Sequence, residues 1–370
     1  MNQLSIYLRP RKFSDIYNQK GVVTELTKRA ENHDWPQAML FKGPSGTGKT
    51  TAALITAMTI NCENPDAHGN PCCKCRSCSS IIEERFDRDT LVLDGSAFSG
   101  KDDVVNFGQL ADAMPMYDKK KILIIEESDQ LSVAAKNAML KLLEKPRDHV
   151  VFILLSMVNS GIPPAIQSRC QTFTFKPFTT TDIMYALKDV MDKTKVWDDP
   201  DIPQSFKLKG IAAIATSARG SLREAIQAYE KCLVGKYYTA DAIRENLGIV
   251  DEEAMSGLIR KLLNRDPTFL NDVYSLDVND FFPIAYSTLT DALIYKITGA
   301  TKNNYYENII AEFSASPNLD ELIGVFNTIS ENPRPYIVKP YFYAKLTQFI
   351  TSKRMTEAAM PKRVVGRVPV

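Results

Sequence analysis

No run of about 18 apolar residues occurs anywhere in the 370-residue sequence, so no membrane-spanning helix and no membrane partner are expected. The opening MNQLSIYLRPRKF lacks the apolar core of a secretory leader, and a cytoplasmic, intracellular protein is expected. A charge excess is missing as well. Lys and Arg number 45 against 44 Asp and Glu, a net charge of +1, which excludes a uniformly basic nucleic-acid binder and leaves a localised face for any such role. Internal repeats and low-complexity segments are also absent. The remainder is an ordinary globular composition, long enough for two or three domains with real cores.

The seven cysteines are few but unevenly placed: four fall within PCCKCRSCSS, Pro71–Ser80. Disulfides are rare inside cells, and an odd, clustered set points to metal rather than to a disulfide framework. Cys72, Cys75 and Cys78 form C-x₂-C-x₂-C, and Cys62 lies ten residues upstream of the first. Four thiolates of this kind suit a closed tetrahedral zinc site, structural rather than catalytic. Cys73 is then the spare, with Cys73 and Cys78 open as an alternative pairing and His68 a weaker ligand candidate.

Residues 1–177 alternate between strand and helix patterns. The apolar runs QAMLFKG (Gln37–Gly43), TLVLDG (Thr90–Gly95), KKILIIEE (Lys120–Glu127), HVVFILLS (His149–Ser156) and QTFTFKPF (Gln171–Phe178) predict strands. TTAALITAMTI (Thr50–Ile60) and VAAKNAMLKLLEKP (Val133–Pro146) predict helices between them. Such alternation argues for an α/β unit with a mostly parallel sheet covered on both faces. From about Thr179 the strand signals fade. A small helical domain is expected over 178–236, broken at ARGS, and a further helix-rich region over 237–370 ends in a basic tail.

Two motifs carry chemistry. GPSGTGKT, Gly43–Thr50, fits G-x-x-x-x-G-K-[ST] in full, after a predicted strand and at the start of a predicted helix. Gly43, Pro44, Ser45, Gly46, Thr47, Gly48, Lys49, Thr50 and Thr51 therefore form a candidate phosphate loop. Lys49 reaches the β/γ-phosphates and Thr50 ligates Mg²⁺. In ILIIEESDQLS two adjacent acids close a buried strand: Glu126 is expected near Mg²⁺, through water, and Glu127 to activate the attacking water. By residue type alone, Arg9, Arg169 of SRC and Arg223 of GSLREA read as surface cations.

Taken together, these segments resemble the gamma/tau subunits of the bacterial DNA polymerase III clamp loader, an AAA+ ATPase family. The resemblance spans roughly Tyr7–Cys232 and includes the RP…F.D….Q opening, the phosphate loop, the four-cysteine insertion, LLE.P..HV.FIL, SRC and GSLREA. It implies an AAA+ core over 1–177 with a zinc module at about 62–80, a helical lid over 178–236 and a helical collar over 237–370. The implied ligands are ATP, Mg²⁺ and structural Zn²⁺. It also implies that Cys62, Cys72, Cys75 and Cys78 hold the zinc and do no chemistry. Arg169 matches the arginine finger that completes a neighbouring subunit's ATP site. Arg223 matches the second sensor, and Arg9 and Pro10 match the segment lining the adenine pocket. Ser156, with Asn159 second, stands near the first-sensor position. Ser99, Gly100 and Lys101 match the helix start that follows the DNA backbone.

The implied activity is ATP-driven loading of a ring-shaped sliding clamp onto primer-template DNA, together with other loader subunits in a ring. The chain departs from the family pattern at Glu126–Glu127, where Asp-Glu is expected, and at Asn18–Gln19, where Gly-Gln is expected; such departures suit a viral or divergent version. The alternatives are a non-hydrolysing structural subunit of the same assembly, or another AAA+ DNA-dependent motor.

Overall fold

The computed structural model describes residues 4–86, 89–97, 108–157, 161–247, 252–273, 278–299, 307–330 and 339–358. Ser99, Gly100, Lys101, Asn159 and the basic tail lie outside the described residues. The chain divides into two compact units, residues 1–247 and 248–370.

The apolar runs of the first unit become five strands: β1 (Ala38–Lys42), β2 (Thr90–Asp94), β3 (Lys121–Glu126), β4 (Val150–Ser156) and β5 (Gln171–Thr174). All pair in parallel, in the order β2-β3-β4-β1-β5. Parallel neighbours need crossover connections, and the crossover helices cover both sheet faces, which is why the central strands can be apolar throughout. In β4 all seven residues are buried.

Alternation distributes these side chains between two cores. Ile122 and Ile124 join Met39, Phe41 and Phe173 on one face, under the helices Lys20–Asn32 and Lys49–Asn61. Leu123 and Ile125 join Leu40, Phe152 and Leu154 on the other, under the helix Val133–Glu144. Ser132 starts that helix by accepting a hydrogen bond from the Ala135 N–H at 3.2 Å.

The chain then becomes helical. Thr179 and Asp182 form a reciprocal capping box at the start of Thr180–Lys193. Helix Ile211–Ser217 ends at Arg219 and Gly220, both with positive φ, and Ser221 caps the helix Leu222–Gly235. Ala240–Leu247 completes this unit.

The second unit contains helices at Glu252–Leu263, Phe269–Val273, Val278–Thr298, Glu307–Ser314, Leu319–Ser330 and Lys339–Ala358. An aromatic core holds it together, with Phe282 stacked on Phe326 at 4.9 Å between ring centroids. Pro283 lies within the first two turns of its helix, where it removes one main-chain bond without ending the helix. No helix of the described residues is long and apolar enough to cross a membrane.

Phe41 is fully buried at the middle of the sheet, 5.2 Å from Phe173 and 5.5 Å from Phe175 between ring centroids. Truncation there loses transfer energy and leaves a cavity. Phe41→Ala is expected to cost about 3–5 kcal/mol of stability, read as a lowered urea midpoint for the first unit by far-UV circular dichroism.

Candidate functional site

Sheet burial leaves the strand ends as the place where polar groups can gather. Lys42 and Ser156 are register partners at the ends of β1 and β4, as are Asp94 and Glu126 at the ends of β2 and β3. The loop Gly43–Gly48 leaves β1 here and feeds the helix Lys49–Asn61. The Gly43 N–H donates to the Ser156 carbonyl at 3.1 Å, which fixes the start of the loop on β4.

Gly46 has φ +71°, and a Cβ there would lie 2.0 Å from Ser221 Oγ, so the position admits no side chain. The Leu222 N–H donates to the Gly46 carbonyl at 3.1 Å. The loop therefore rests on the start of a helix from the following helical segment. Thr47, fully buried, donates its hydroxyl to the Pro44 carbonyl at 2.8 Å. Gly48, the N-cap of the loop helix, supplies no capping side chain, so the first helical N–H groups stay available to an anion.

These elements enclose a cleft of about 340 Å³. Arg9 and Pro10, residues Ser45–Thr51, Glu126, Glu127, Ser156 and Arg223 all line it. Lys49 Nζ donates to the carbonyls of Gly43 at 2.6 Å and Pro44 at 2.7 Å. Burial, then the nearby Arg223, brings Lys49 down to about 8, while Asp129 and Glu126 pull the other way. Thr50 Oγ1 donates to Glu126 Oε1 at 2.8 Å, so a hydroxyl and a carboxylate, both hard oxygen donors, stand side by side and fit a small divalent cation. The longer Glu126 side chain thus reaches the loop threonine.

Glu127 follows in the left-handed region at φ +46°. Ser128 steadies this turn, since its N–H and hydroxyl both donate to the Leu155 carbonyl, at 2.9 and 2.8 Å. Ser156 is buried and donates to the Met157 carbonyl at 3.2 Å.

Arg169 stands apart from this cleft. Its Nη2 lies 2.9 Å from Glu144 Oε1 and its Nη1 donates to the Ala165 carbonyl at 2.9 Å. Arg9 lines the cleft while its Nη1 lies 2.8 Å from Glu84 Oε1.

Three titratable cleft residues escape sequence reasoning: Tyr17, Asp129 and Lys193. Asp129 sits within ILIIEESDQLS, but the acid-pair logic stops at Glu127. One of its oxygens, Oδ1, is buried without a hydrogen-bond partner. Tyr17 donates to Asp189, which also takes Lys193 Nζ at 2.7 Å. Burial, followed by Asp189, holds the Tyr17 hydroxyl above its ordinary range. No spacing in the sequence connects Tyr17 with Lys193; folding does.

The second cluster is sulfur. Cys62 ends the loop helix, Cys75 caps the helix Arg76–Ile82, and Cys78 lies within it. The Sγ atoms of Cys62, Cys72, Cys75 and Cys78 lie within 4.8 Å of one another. Main-chain N–H groups already serve them: Cys72 donates to Cys62 Sγ at 3.2 Å and Cys75 to Cys72 Sγ at 3.3 Å. Burial pushes the Cys72 thiol up, but the Lys74 and Cys75 N–H groups and the neighbouring thiols outweigh it and bring it to about 6. Burial prevails at Cys62 and Cys78 and raises both. Cys73 turns away, at φ +57° with its thiol 3.5 Å from the Pro71 carbonyl. His68 is also outside the set, with Nδ1 3.7 Å from Glu31 Oε1. Four converging thiols with N–H donors suit a thiophilic cation.

A phosphate-type loop between parallel strands, opening on a lysine and a threonine–carboxylate pair, defines a nucleotide-binding protein of the P-loop class. Comparison with known proteins narrows this. Residues 18–179 match the family model described as DNA polymerase III, delta subunit. The chain is 30% identical to the DNA polymerase III subunit gamma of Buchnera aphidicola over 260 residues, 70% of this chain and 68% of that one. It is 31% identical to the DNA polymerase III subunit tau of Bacillus subtilis over 225 residues, 61% of this chain and 38% of that one. The chain belongs to the DNA polymerase III gamma/tau family. It spans 38% of the length of the Bacillus tau subunit. Among solved structures, the RuvB Holliday junction branch migration motor of Thermotoga maritima aligns with a TM-score of 0.46 at 19% identity, over 77% of this chain and 86% of that one.

Lys49 yields a pH prediction. Phosphates favour its charged form, and in the free protein that form is lost above about pH 8. Nucleotide binding above pH 8 must therefore take up a proton, and affinity must fall as pH rises. Calorimetry in buffers of different ionisation enthalpy is expected to show proton uptake at pH 8.5 and almost none at pH 6.5.

Proposed function

We propose that this chain is an AAA+ ATPase subunit of a clamp loader, which opens a ring-shaped sliding clamp and places it on primer-template DNA in concert with other subunits in a ring. The observation that carries this reading is the convergence of Lys49, the Thr50–Glu126 pair and Glu127 in one cleft. A non-hydrolysing subunit has no need of an acid pair beside its phosphate loop.

On this reading, residues 1–177 form the ATPase core, 178–236 the lid and 237–370 the collar, and the protein works in the cytoplasm. Gly43–Thr51 hold the phosphates of ATP, with Lys49 on the β/γ-phosphates. Arg9 and Pro10 line the adenine side. Thr50 and Glu126 would hold Mg²⁺, which supplies neutralisation of phosphate charge when bound. Glu127 accepts the proton of the water that attacks the γ-phosphorus, and Ser156 senses the γ-phosphate. Arg223 contacts the phosphates in cis and reports nucleotide state to the lid, with Leu222 already bonded to the loop at Gly46. Arg169, which lies outside its own cleft and pairs with Glu144, serves a neighbour's γ-phosphate in trans. DNA is followed along its backbone by shape. Ser99, Gly100 and Lys101 are assigned to it on sequence position alone.

The same reading makes Cys62, Cys72, Cys75 and Cys78 a structural Zn²⁺ site. Elemental analysis is expected to find about one zinc per chain, kept in Cys73→Ser and lost in Cys78→Ser.

Steady-state ATPase tests the motor itself, with and without primed DNA and a cognate clamp. Stimulation by both is expected. Lys49→Ala should lower the stimulated rate by about 10²–10³-fold, and Arg169→Ala on the order of 10³-fold with ATP binding retained. A flat rate indifferent to Lys49 would shift the reading to a non-hydrolysing structural subunit.

A further inference from the structure

The cysteine module does more than stand beside the cleft. We infer that it braces the segment Arg9–Asp15, whose first two residues line the cleft, with Glu84 as a positioning residue for Arg9, so that metal occupancy of the cysteines tunes nucleotide affinity. This deepens the ATP-site reading and rests on it.

The contact is specific. Arg9 lines the cleft and holds Glu84 at 2.8 Å, and neither side chain is fully exposed, at 24% and 37%. Glu84 stands just after the module, on the turn that closes its last helix. It follows the helix Arg76–Ile82, which starts at Cys75 and carries Cys78. Its own N–H donates to the Ile81 carbonyl at 3.1 Å, its φ is +54°, and the next N–H, of Arg85, donates to the Ser80 carbonyl at 2.9 Å. The carboxylate is thus set by the end of a seven-residue helix. Helices that short are not stable alone; this one is fixed by packing, with Cys78 and Ile81 buried in the core under the loop helix.

Two further contacts act in the same sense. Lys12 Nζ lies 3.9 Å from Asp66 Oδ2, another cation of the segment against an acid of the module. Asp66 itself accepts the N–H groups of His68 and Asn70, each at 2.9 Å, and so belongs to the rigid turn between Cys62 and Cys72. Gly69, in that turn, packs so tightly on helix Lys20–Asn32 that a Cβ would lie 2.4 Å from the Ala30 carbonyl oxygen. The module is therefore seated on the same helix that follows the segment. The segment's apolar anchor is Phe13, fully buried near Trp35. Arg9 lies four residues before that anchor, where the ion pair rather than apolar packing sets its place.

The test uses the full chain and its Glu84→Gln and Glu84→Asp variants. Zinc content is measured by elemental analysis, affinity with a non-hydrolysable ATP analogue and Mg²⁺, and amide hydrogen exchange over residues 9–15. Glu84→Gln is expected to keep its metal, bind the analogue about 2- to 5-fold more weakly, as a partly exposed ion pair implies, and exchange faster over 9–15. Glu84→Asp should recover part of the affinity. Stripping the cysteine metal from the unmodified protein, then restoring Mg²⁺, should weaken binding at least as much and raise exchange over 9–15. The same stripping should add less in Glu84→Gln. Unchanged affinity and exchange in Glu84→Gln, or exchange over 9–15 indifferent to metal, would overturn the brace. Failure of the unmodified protein to bind the analogue at all would sink the ATP reading, while the exchange data would still decide the brace.

Discussion

Everything in the first unit follows from burying a parallel sheet on both faces. A strand such as β4, buried along its whole length and apolar up to its closing Ser156, has no polar side to offer solvent. Polar chemistry is thereby expelled to the strand ends, where carbonyls and N–H groups of the last pairs still need partners. The phosphate loop, the acid pair and Ser156 gather at one such end because β1, β3 and β4 are the three central strands.

That end is closed by a contact the loop cannot make alone. Gly46 gives up its side chain to let Ser221 approach, and its carbonyl takes the Leu222 N–H. Arg223 follows immediately, so the same residues that dock the helical segment also deliver a cation to Lys49. Burial in the cleft, and after it the Arg223 cation, disfavours the charged form of Lys49. The loop carbonyls of Gly43 and Pro44 accept from its amine at the cleft.

The cysteine module obeys a different economy. Its helix and turns bury little of their own, and Cys62, Cys78 and Ile81 contribute instead to the core beneath the loop helix. Its four thiols converge within 4.8 Å of one another. Ion pairs from Arg9 to Glu84 and from Lys12 to Asp66 join it to the segment that leads to the cleft.

Much of this was legible in the residues. Apolar runs such as those of β1 and β4, alternating with helix patterns, point to a parallel sheet covered by helices on both faces. The phosphate loop is legible because its glycines and lysine answer local backbone needs. The sulfur cluster is legible because four ligands within seventeen positions can close on one ion with little chain entropy. What could not be read is whatever long-range packing brings together. Lys193 reaches the cleft because Tyr17 donates to Asp189 across 172 positions of sequence. Arg169 lies outside its own cleft, paired with Glu144, and Arg9 is tied to Glu84 by a charge pair that neither local sequence announces. Local propensity and hydrophobic period determined the elements and the loop; the partners of its arginines were decided only when the sheet's burial fixed which loops share an end.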